Sequence, residues 1–175
     1  MTLAIIIIII YTLALLLIFF YALAQLNLLF NYIKYKKETK HQVKLELSVF
    51  KELPIVTIQL PVYNEMYVMV RLLNNIVQID YPKDKLEIQV LDDSTDESLE
   101  TTKTQIEKLQ KTGLDIQHIT RVDRKNFKAG ALKEGLATAK GEFIAIFDAD
   151  FLPQQEWLKL TLPYFIDKEI GVVQT

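Results

Sequence analysis

Glu142-Phe143-Ile144-Ala145-Ile146-Phe147-Asp148-Ala149-Asp150 is an apolar run that ends in two aspartates. Its length suits a buried strand rather than a helix. The strand stops where the carboxylates begin, and the same shape recurs upstream. Ile55–Leu60 reads as a strand and is followed by Pro61-Val62-Tyr63-Asn64-Glu65. Leu86–Leu91 is followed by Asp92-Asp93, and Leu114–Thr120 by the basic stretch Arg121–Lys128. Between the strands lie segments with helical spacing. Glu65–Ile79 carries Met69, Leu72, Leu73, Ile76 and Val77 on one face. Ser94-Thr95-Asp96-Glu97 fits a capping box opening a helix to about Lys111, with Gly113 suited to a helix C′ position. Lys128–Ala139 reads as a third helix, with Gly141 after it. Glu156–Phe165 reads as a fourth, and Ile170–Gln174 as the start of a further strand. Strict alternation predicts a mainly parallel sheet with right-handed crossovers and helices on both faces, a Rossmann-like α/β fold.

In such a sheet, ligands sit at the C-terminal ends of the strands. All four polar clusters fall there, so the fold brings them to one edge. Aspartates at i and i+2 point the same way from an extended backbone. Asp148 and Asp150 would then hold a hard divalent cation, Mg2+ or Mn2+, which completes its shell with water and phosphate oxygens. Arg121, Arg124, Lys125 and Lys128 supply positive charge nearby. Lys128 and Gly130 open a helix whose free N–H groups favour phosphate, and Gly130 permits close backbone approach. Asp93 offers an acceptor for a base N–H, and Tyr63 a ring on which a base stacks. Taken singly, each cluster has a plainer explanation. Two acids at this spacing are common in loops, Asp92-Asp93 suits a helix cap, and the basic stretch suits a solvated loop. Their joint placement favours the functional reading. His41 and His118 lack partners at metal-ligand spacing and read as structural. Trp157, Tyr164 and Phe165 read as packing.

The N-terminus has a different character. Leu3–Ala24 is almost wholly apolar, Thr12 being the main exception, and no charge precedes Lys34. About 20 such residues span a bilayer core, and lipid forces them into a helix. A signal peptide with Ala22-Leu23-Ala24 at its cleavage site is the competing reading. The run is too long for that, and lacks a basic start. Lys34, Lys36, Lys37, Lys40 and Lys44 follow it, which places the remainder in the cytoplasm by the positive-inside rule. The expected organisation is an anchor over 1–30, a juxtamembrane connector over 31–53 with a helix or edge strand near Val43–Phe50, and an α/β domain over 54–175. The chain of 175 residues has no cysteine, which excludes disulfides, thiolate metal sites and a cysteine nucleophile. A net charge of −2 argues against a nucleic-acid surface.

Pro61-Val62-Tyr63-Asn64-Glu65, Leu91-Asp92-Asp93-Ser94, Lys128-Ala129-Gly130-Ala131-Leu132 and Phe147-Asp148-Ala149-Asp150 occur in the order seen in family 2 glycosyltransferases. The resemblance covers about Pro54 to Thr175. Asp80–Glu87 and Gly171–Thr175 look most like the cellulose-synthase-like and ceramide-glucosyltransferase-like branch. That resemblance implies a GT-A fold on the cytoplasmic side of a membrane. It implies inverting transfer of a hexose from a nucleotide-sugar, UDP-glucose first and GDP-mannose next, to a polysaccharide or lipid acceptor. It implies that Pro61, Tyr63 and Asp93 hold the nucleoside, with Glu65 and Asp92 close by. Lys128 would approach the diphosphate, and Asp148 and Asp150 would form the metal-binding D-x-D, Asp150 the more direct ligand. An inverting enzyme needs a general base. In this branch the base and a Gln-x-x-Arg-Trp acceptor motif lie beyond the position of Thr175. The expectation is therefore an N-terminal part with the donor and metal half of the site and little transfer by itself. Two alternatives compete. One is a non-catalytic, membrane-anchored nucleotide-binding module. The other is a haloacid-dehalogenase-type phosphatase, whose D-x-D also follows an apolar strand but normally opens its domain. A dinucleotide-binding dehydrogenase is disfavoured, because no G-x-G-x-x-G follows the first strand.

Overall fold

The computed structural model describes residues 2–38 and 46–174. The chain divides into two compact units, Met1–Lys44 and Leu45–Thr175.

The first unit is one helix, α1 (Thr2–Glu38). Its described side chains are exposed on every face, and an all-round apolar helix needs apolar surroundings. It is long and apolar enough to cross a membrane. Thr12 satisfies its hydroxyl by donating to the Ile8 carbonyl at 2.8 Å. At 1.5 Å per residue the helix is about 55 Å long, against roughly 30 Å of hydrocarbon. It therefore runs on past the apolar stretch through Asn31, Lys34 and Lys36, residues assigned to the connector from sequence. Lys40, His41, Lys44 and the start of the Val43–Phe50 segment lie outside the described residues. The remainder of that segment is a single 3-10 turn, Leu47–Val49.

The second unit is built on four parallel strands: β1 (Val56–Val62), β2 (Leu86–Asp92), β3 (Asp115–Thr120) and β4 (Phe143–Ile146), in the order β3-β2-β1-β4. Helices α2 (Met66–Ile76), α3 (Ser98–Gln110), α4 (Phe127–Thr138) and α5 (Trp157–Thr161) connect and cover them. The parallel sheet, the alternation and the helices on both faces agree with the sequence reading. The chain steps outward from β1 to β2 to β3, then returns to the other side of β1. This reversal puts a crevice between the C-terminal ends of β1 and β4, where ligands bind in open α/β sheets.

The two sheet faces differ in chemistry. Alternate residues Val56, Ile58, Leu60, Leu86, Ile88 and Val90 are buried in one apolar cluster with Met69, Leu72, Leu73 and Ile76 of α2 and Ile106 of α3. The opposite face is polar and equally buried. Thr57 donates to Glu87 at 2.5 Å, and Gln59 to Gln89 at 3.0 Å, each across a β1–β2 register pair. Lys140 N–H and the Gln117 amide also donate to Glu87. Helix α4 covers this face closely. A Cβ at Gly135 would stand 2.7 Å from the Gln59 amide nitrogen, so a larger residue there would push the Gln59 and Gln89 side chains aside.

Four local expectations change. Ser94 does not cap α3, which begins at Ser98; the hydroxyl faces the loop after β1 instead, and Asp96 accepts from the Ser98 N–H at 3.0 Å. Gly113 is left-handed at φ +83°, as expected of a terminating glycine, but it lies two residues past the cap Lys111. Glu156–Phe165 is not one α-helix. Pro163 has no N–H for the next intrahelical bond, and the chain tightens into a 3-10 turn over Leu162–Ile166. Ile170–Gln174 is no strand: it joins no ladder, and Val172 is 82% exposed. A short apolar run predicts a strand, but a strand also needs a paired edge.

Candidate functional site

The loop after β1 turns at Asn64, whose φ of +56° is tolerated by few residues besides Asn, Asp and Gly. The Asn64 N–H donates to Ser94 Oγ at 2.9 Å, and its Oδ1 accepts from the Thr95 N–H at 2.9 Å. Asp93 N–H donates to the Val62 carbonyl at 3.1 Å. These bonds tie the ends of β1 and β2 together and fix Tyr63 beside Asp93.

Asp92 closes β2 and is buried. Its Oδ1 accepts from the Ser94 N–H at 2.9 Å, and its Oδ2 lies 2.9 Å from His118 Nε2 on β3. Burial pushes its pKa up, but the His118 and Ser94 hydrogen bonds outweigh that and hold it below the ordinary carboxylate value. Asp92 therefore supports the loop from beneath, next in sequence to Asp93. His118 is structural, as read, with Asp92 as its partner.

Asp93 is held by Arg121, whose Nε donates to Oδ1 at 2.8 Å and whose Nη2 donates to Oδ2. Both side chains are nearly enclosed, 7% and 5% exposed. The Asp93 hydrogen bonds push the Arg121 pKa up. Arg121 also donates to the carbonyls of Lys125 and Phe127, at 3.2 and 3.0 Å. It thereby clamps a turn in which Asn126 and Phe127 take φ +61° and +46°. Sequence reading gave Arg121 only as nearby positive charge; its donors here are spent on Asp93 and the turn. Gly130 is corrected in the same way. A Cβ there would stand 2.1 Å from the Lys125 carbonyl and 2.6 Å from Arg121 Nη1, so the glycine makes room for the turn.

At the other side of the crevice, Phe147 is buried after β4, stacked on Phe151 and edge-on to Trp157. That aromatic wedge sets the turn at Asp148, whose carbonyl accepts from the Phe151 N–H at 3.0 Å. Trp157 packs, as expected. Asp148 pairs with Lys128 at the start of α4; the two side chains are 59% and 51% exposed. Asp150 is exposed. Among the described residues no group of three or more His, Cys, Asp or Glu is placed to hold a metal ion. Two accessible carboxylates fit a cation that takes most of its oxygens from water and phosphate, rather than an all-protein cage.

These pieces enclose a cavity of about 450 Å³ at the β1–β4 crevice. Pro61, Tyr63, Glu65, Asp93, Lys128, Asp148 and Asp150 all line it; of the eight residues that the family resemblance assigns to the donor or metal, Asp92 does not, and neither do Arg121, Lys125 and Gly130, which were picked for charge or close approach. Phe127 and Ala131 also line it and were given no role from sequence. The placement of Arg124 was missed as well. Its guanidinium lies 3.4 Å from the Tyr63 ring centroid.

The Glycosyl transferase family 2 model matches residues 57–175. A probable glucomannan 4-beta-mannosyltransferase 7 from Oryza sativa subsp. japonica is 41% identical over 128 residues, 70% of this chain and 22% of that protein. Glucomannan 4-beta-mannosyltransferase 1 from Cyamopsis tetragonoloba is 40% identical over 148 residues, 82% of this chain and 28% of that protein. The chain thus spans about a quarter of the length of these relatives. Among solved structures, the mannosyltransferase PcManGT from Pyrobaculum calidifontis, in complex with GDP-Man and Mn2+, superposes with a TM-score of 0.67 at 31% identity, covering 82% of this chain and 41% of that one. S. aureus TarS 1-349 in complex with UDP gives 0.54 at 29% identity, over 65% of this chain and 32% of that one.

Proposed function

The chain belongs to glycosyl transferase family 2, and from that premise we propose that it forms the donor-binding part of a membrane-bound, inverting mannosyltransferase using GDP-mannose and Mg2+ or Mn2+. The family sets aside the phosphatase reading of Asp148-Ala149-Asp150. GDP-mannose moves ahead of UDP-glucose because the relatives are named mannosyltransferases and one structural neighbour holds GDP-Man with Mn2+. The glucomannan relatives favour a polysaccharide acceptor over a lipid one. Helix α1 supplies the anchor, and Lys34 and Lys36 after its apolar stretch favour a cytoplasmic domain.

One observation carries the reading: seven of the eight residues that the family resemblance assigns to donor and metal converge on one cavity at the topological switch point. Tyr63 offers its ring to the base, Pro61 packs beside it, and Asp93 accepts from a base N–H. Glu65 stands at the rim and Asp92 braces the loop. Lys128 and the α4 N-terminus meet the diphosphate. Asp148 and Asp150 hold the cation, which when bound neutralises the departing diphosphate. As Lys128 turns to the phosphates, Asp148 is released for that task. No residue of this chain is assigned as the general base, and residues 54–175 serve as the donor half of the domain.

Calorimetric titration of the whole chain in detergent tests this. GDP should bind in the presence of Mn2+, more tightly than UDP, and Asp150→Ala should remove the metal dependence. A folded chain that binds neither nucleotide refutes the donor-site reading and leaves a scaffold without a nucleotide site.

A further inference from the structure

Two groups expected to read the nucleobase already have partners. Arg121 takes both oxygens of Asp93, and Arg124 covers one face of Tyr63. The coverings differ in permanence. Arg121 makes four hydrogen bonds and is buried. Arg124 has no such anchorage. Its Nε is buried without a hydrogen-bond partner, the nearest acid being Asp93 Oδ2 at 3.7 Å. Its side chain is 31% exposed. Besides that long ion pair to Asp93, what holds it is contact with rings: Tyr63 at 3.4 Å and Phe127 at 5.5 Å.

A guanidinium is planar, delocalised and weakly hydrated, so it stacks on an aromatic ring much as a nucleobase does. The 3.4 Å separation leaves no room for a base between the two. Arg124 also lines the cavity shared by Tyr63, Lys128 and Asp148.

We propose that Arg124 is a displaceable stand-in for the nucleobase: its guanidinium keeps the Tyr63 face covered in the free protein, leaves when the base stacks there, and is thereby delivered to the diphosphate. The inference rests on the donor-site reading and adds to it a binding residue with two opposed effects. For a ligand with a base but no phosphate, Arg124 is a competitor to be displaced. For a nucleoside diphosphate, displacement is offset by a new charge-assisted contact. An empty site would keep its apolar ring shielded, and an uncharged nucleoside would be selected against. Lys128 alone does not produce this, because it competes for no aromatic surface.

The test compares guanosine with GDP, by calorimetry on the whole chain in detergent without metal. Arg124→Ala should bind guanosine about three- to fivefold more tightly, the worth of one exposed cation–π contact. It should bind GDP about tenfold more weakly. Arg124→Lys keeps the charge but not the plane. It should bind guanosine as tightly as the alanine variant and GDP within about twofold of wild type, and it serves if the alanine variant does not fold. Weaker guanosine binding in both variants overturns the inference, since Arg124 would then form one wall of a base sandwich. Unchanged GDP binding in Arg124→Ala overturns it too, since the side chain would never reach phosphate. Wild-type protein that binds no nucleotide refutes the donor-site reading, and this inference with it.

Discussion

The two aspartate pairs sit at equivalent strand ends and are treated in opposite ways. Asp92 and Asp93 are 2% and 6% exposed, and every oxygen of both carboxylates has a partner. Asp148 and Asp150 stand in solvent, with Lys128 the one cation paired to Asp148 among the described residues. The first pair is finished architecture. The second is left open for a ligand to complete. On the proposed reading, a pre-set nucleoside wall at Asp93 costs no ordering at binding. A cation site must wait, because most of its oxygens come from water and the donor.

The contrast breaks most visibly at Asp93. Asp93→Ala strands the Arg121 guanidinium in a nearly closed space and unclamps the turn at Asn126 and Phe127. Losing one partner of a buried pair costs about 3 kcal/mol, so the melting temperature should fall by about 10 °C. Thermal unfolding in detergent measures it. A loss under about 1 kcal/mol would mean that Arg121 rehydrates freely and that the wall is not pre-set. Asp150→Ala should do the reverse. Stability should move by less than about 0.5 kcal/mol, as for a surface change, while affinity for GDP with Mn2+ drops by up to about 100-fold. Equal loss of stability at both sites would erase the distinction.

Most of the frame was legible in the sequence, and the reason is physical. The register of β1, β2 and β4 follows from apolar runs bounded by polar clusters, and parallel pairing then collects those clusters on one edge. Less legible was what each charge does there. Arg121 and Arg124 are three residues apart in one basic stretch, yet one is a buried clamp and the other a ring cover. Only the turn at Asn126 and Phe127, with its left-handed backbone, sorts them. The polar ladder of Thr57, Gln59, Glu87 and Gln89 was also hidden. Those residues alternate with the apolar ones, and under α4 they pair with one another. Ser94 fits a capping box by spacing, and tertiary bonding to Asn64 overrides it.

Asp92 sharpens the contrast through pH. Its pKa is held below the model-peptide value of 3.8. A depressed folded-state pKa adds stability that is fully present above the unfolded value and is lost as pH falls through the folded one. His118→Leu removes the hydrogen bond that most lowers it. The pKa should then rise, stability near neutrality should fall by about 1 kcal/mol, and acid unfolding should begin at higher pH. Ser94 alone sufficing to hold the carboxylate would leave the acid midpoint unmoved.

The smallest effect on the fold belongs to Lys128, and there the open pair shows its purpose. An exposed ion pair contributes between zero and about 1 kcal/mol, so Lys128→Met should scarcely alter melting. Binding should move in two directions. In the free protein Lys128 neutralises Asp148, which works against a cation there. Removing it should tighten Mn2+ binding by about threefold in the absence of nucleotide. With GDP present, the lost contact to phosphate should weaken nucleotide binding by about tenfold. If Mn2+ and GDP both bind more weakly, Lys128 is holding the Asp148 turn in shape, and the pair after β4 is as much a part of the architecture as the pair after β2. If the signs separate, Lys128 is a counter-ion on loan, and the open half of the site is kept soluble by a charge that the donor takes over.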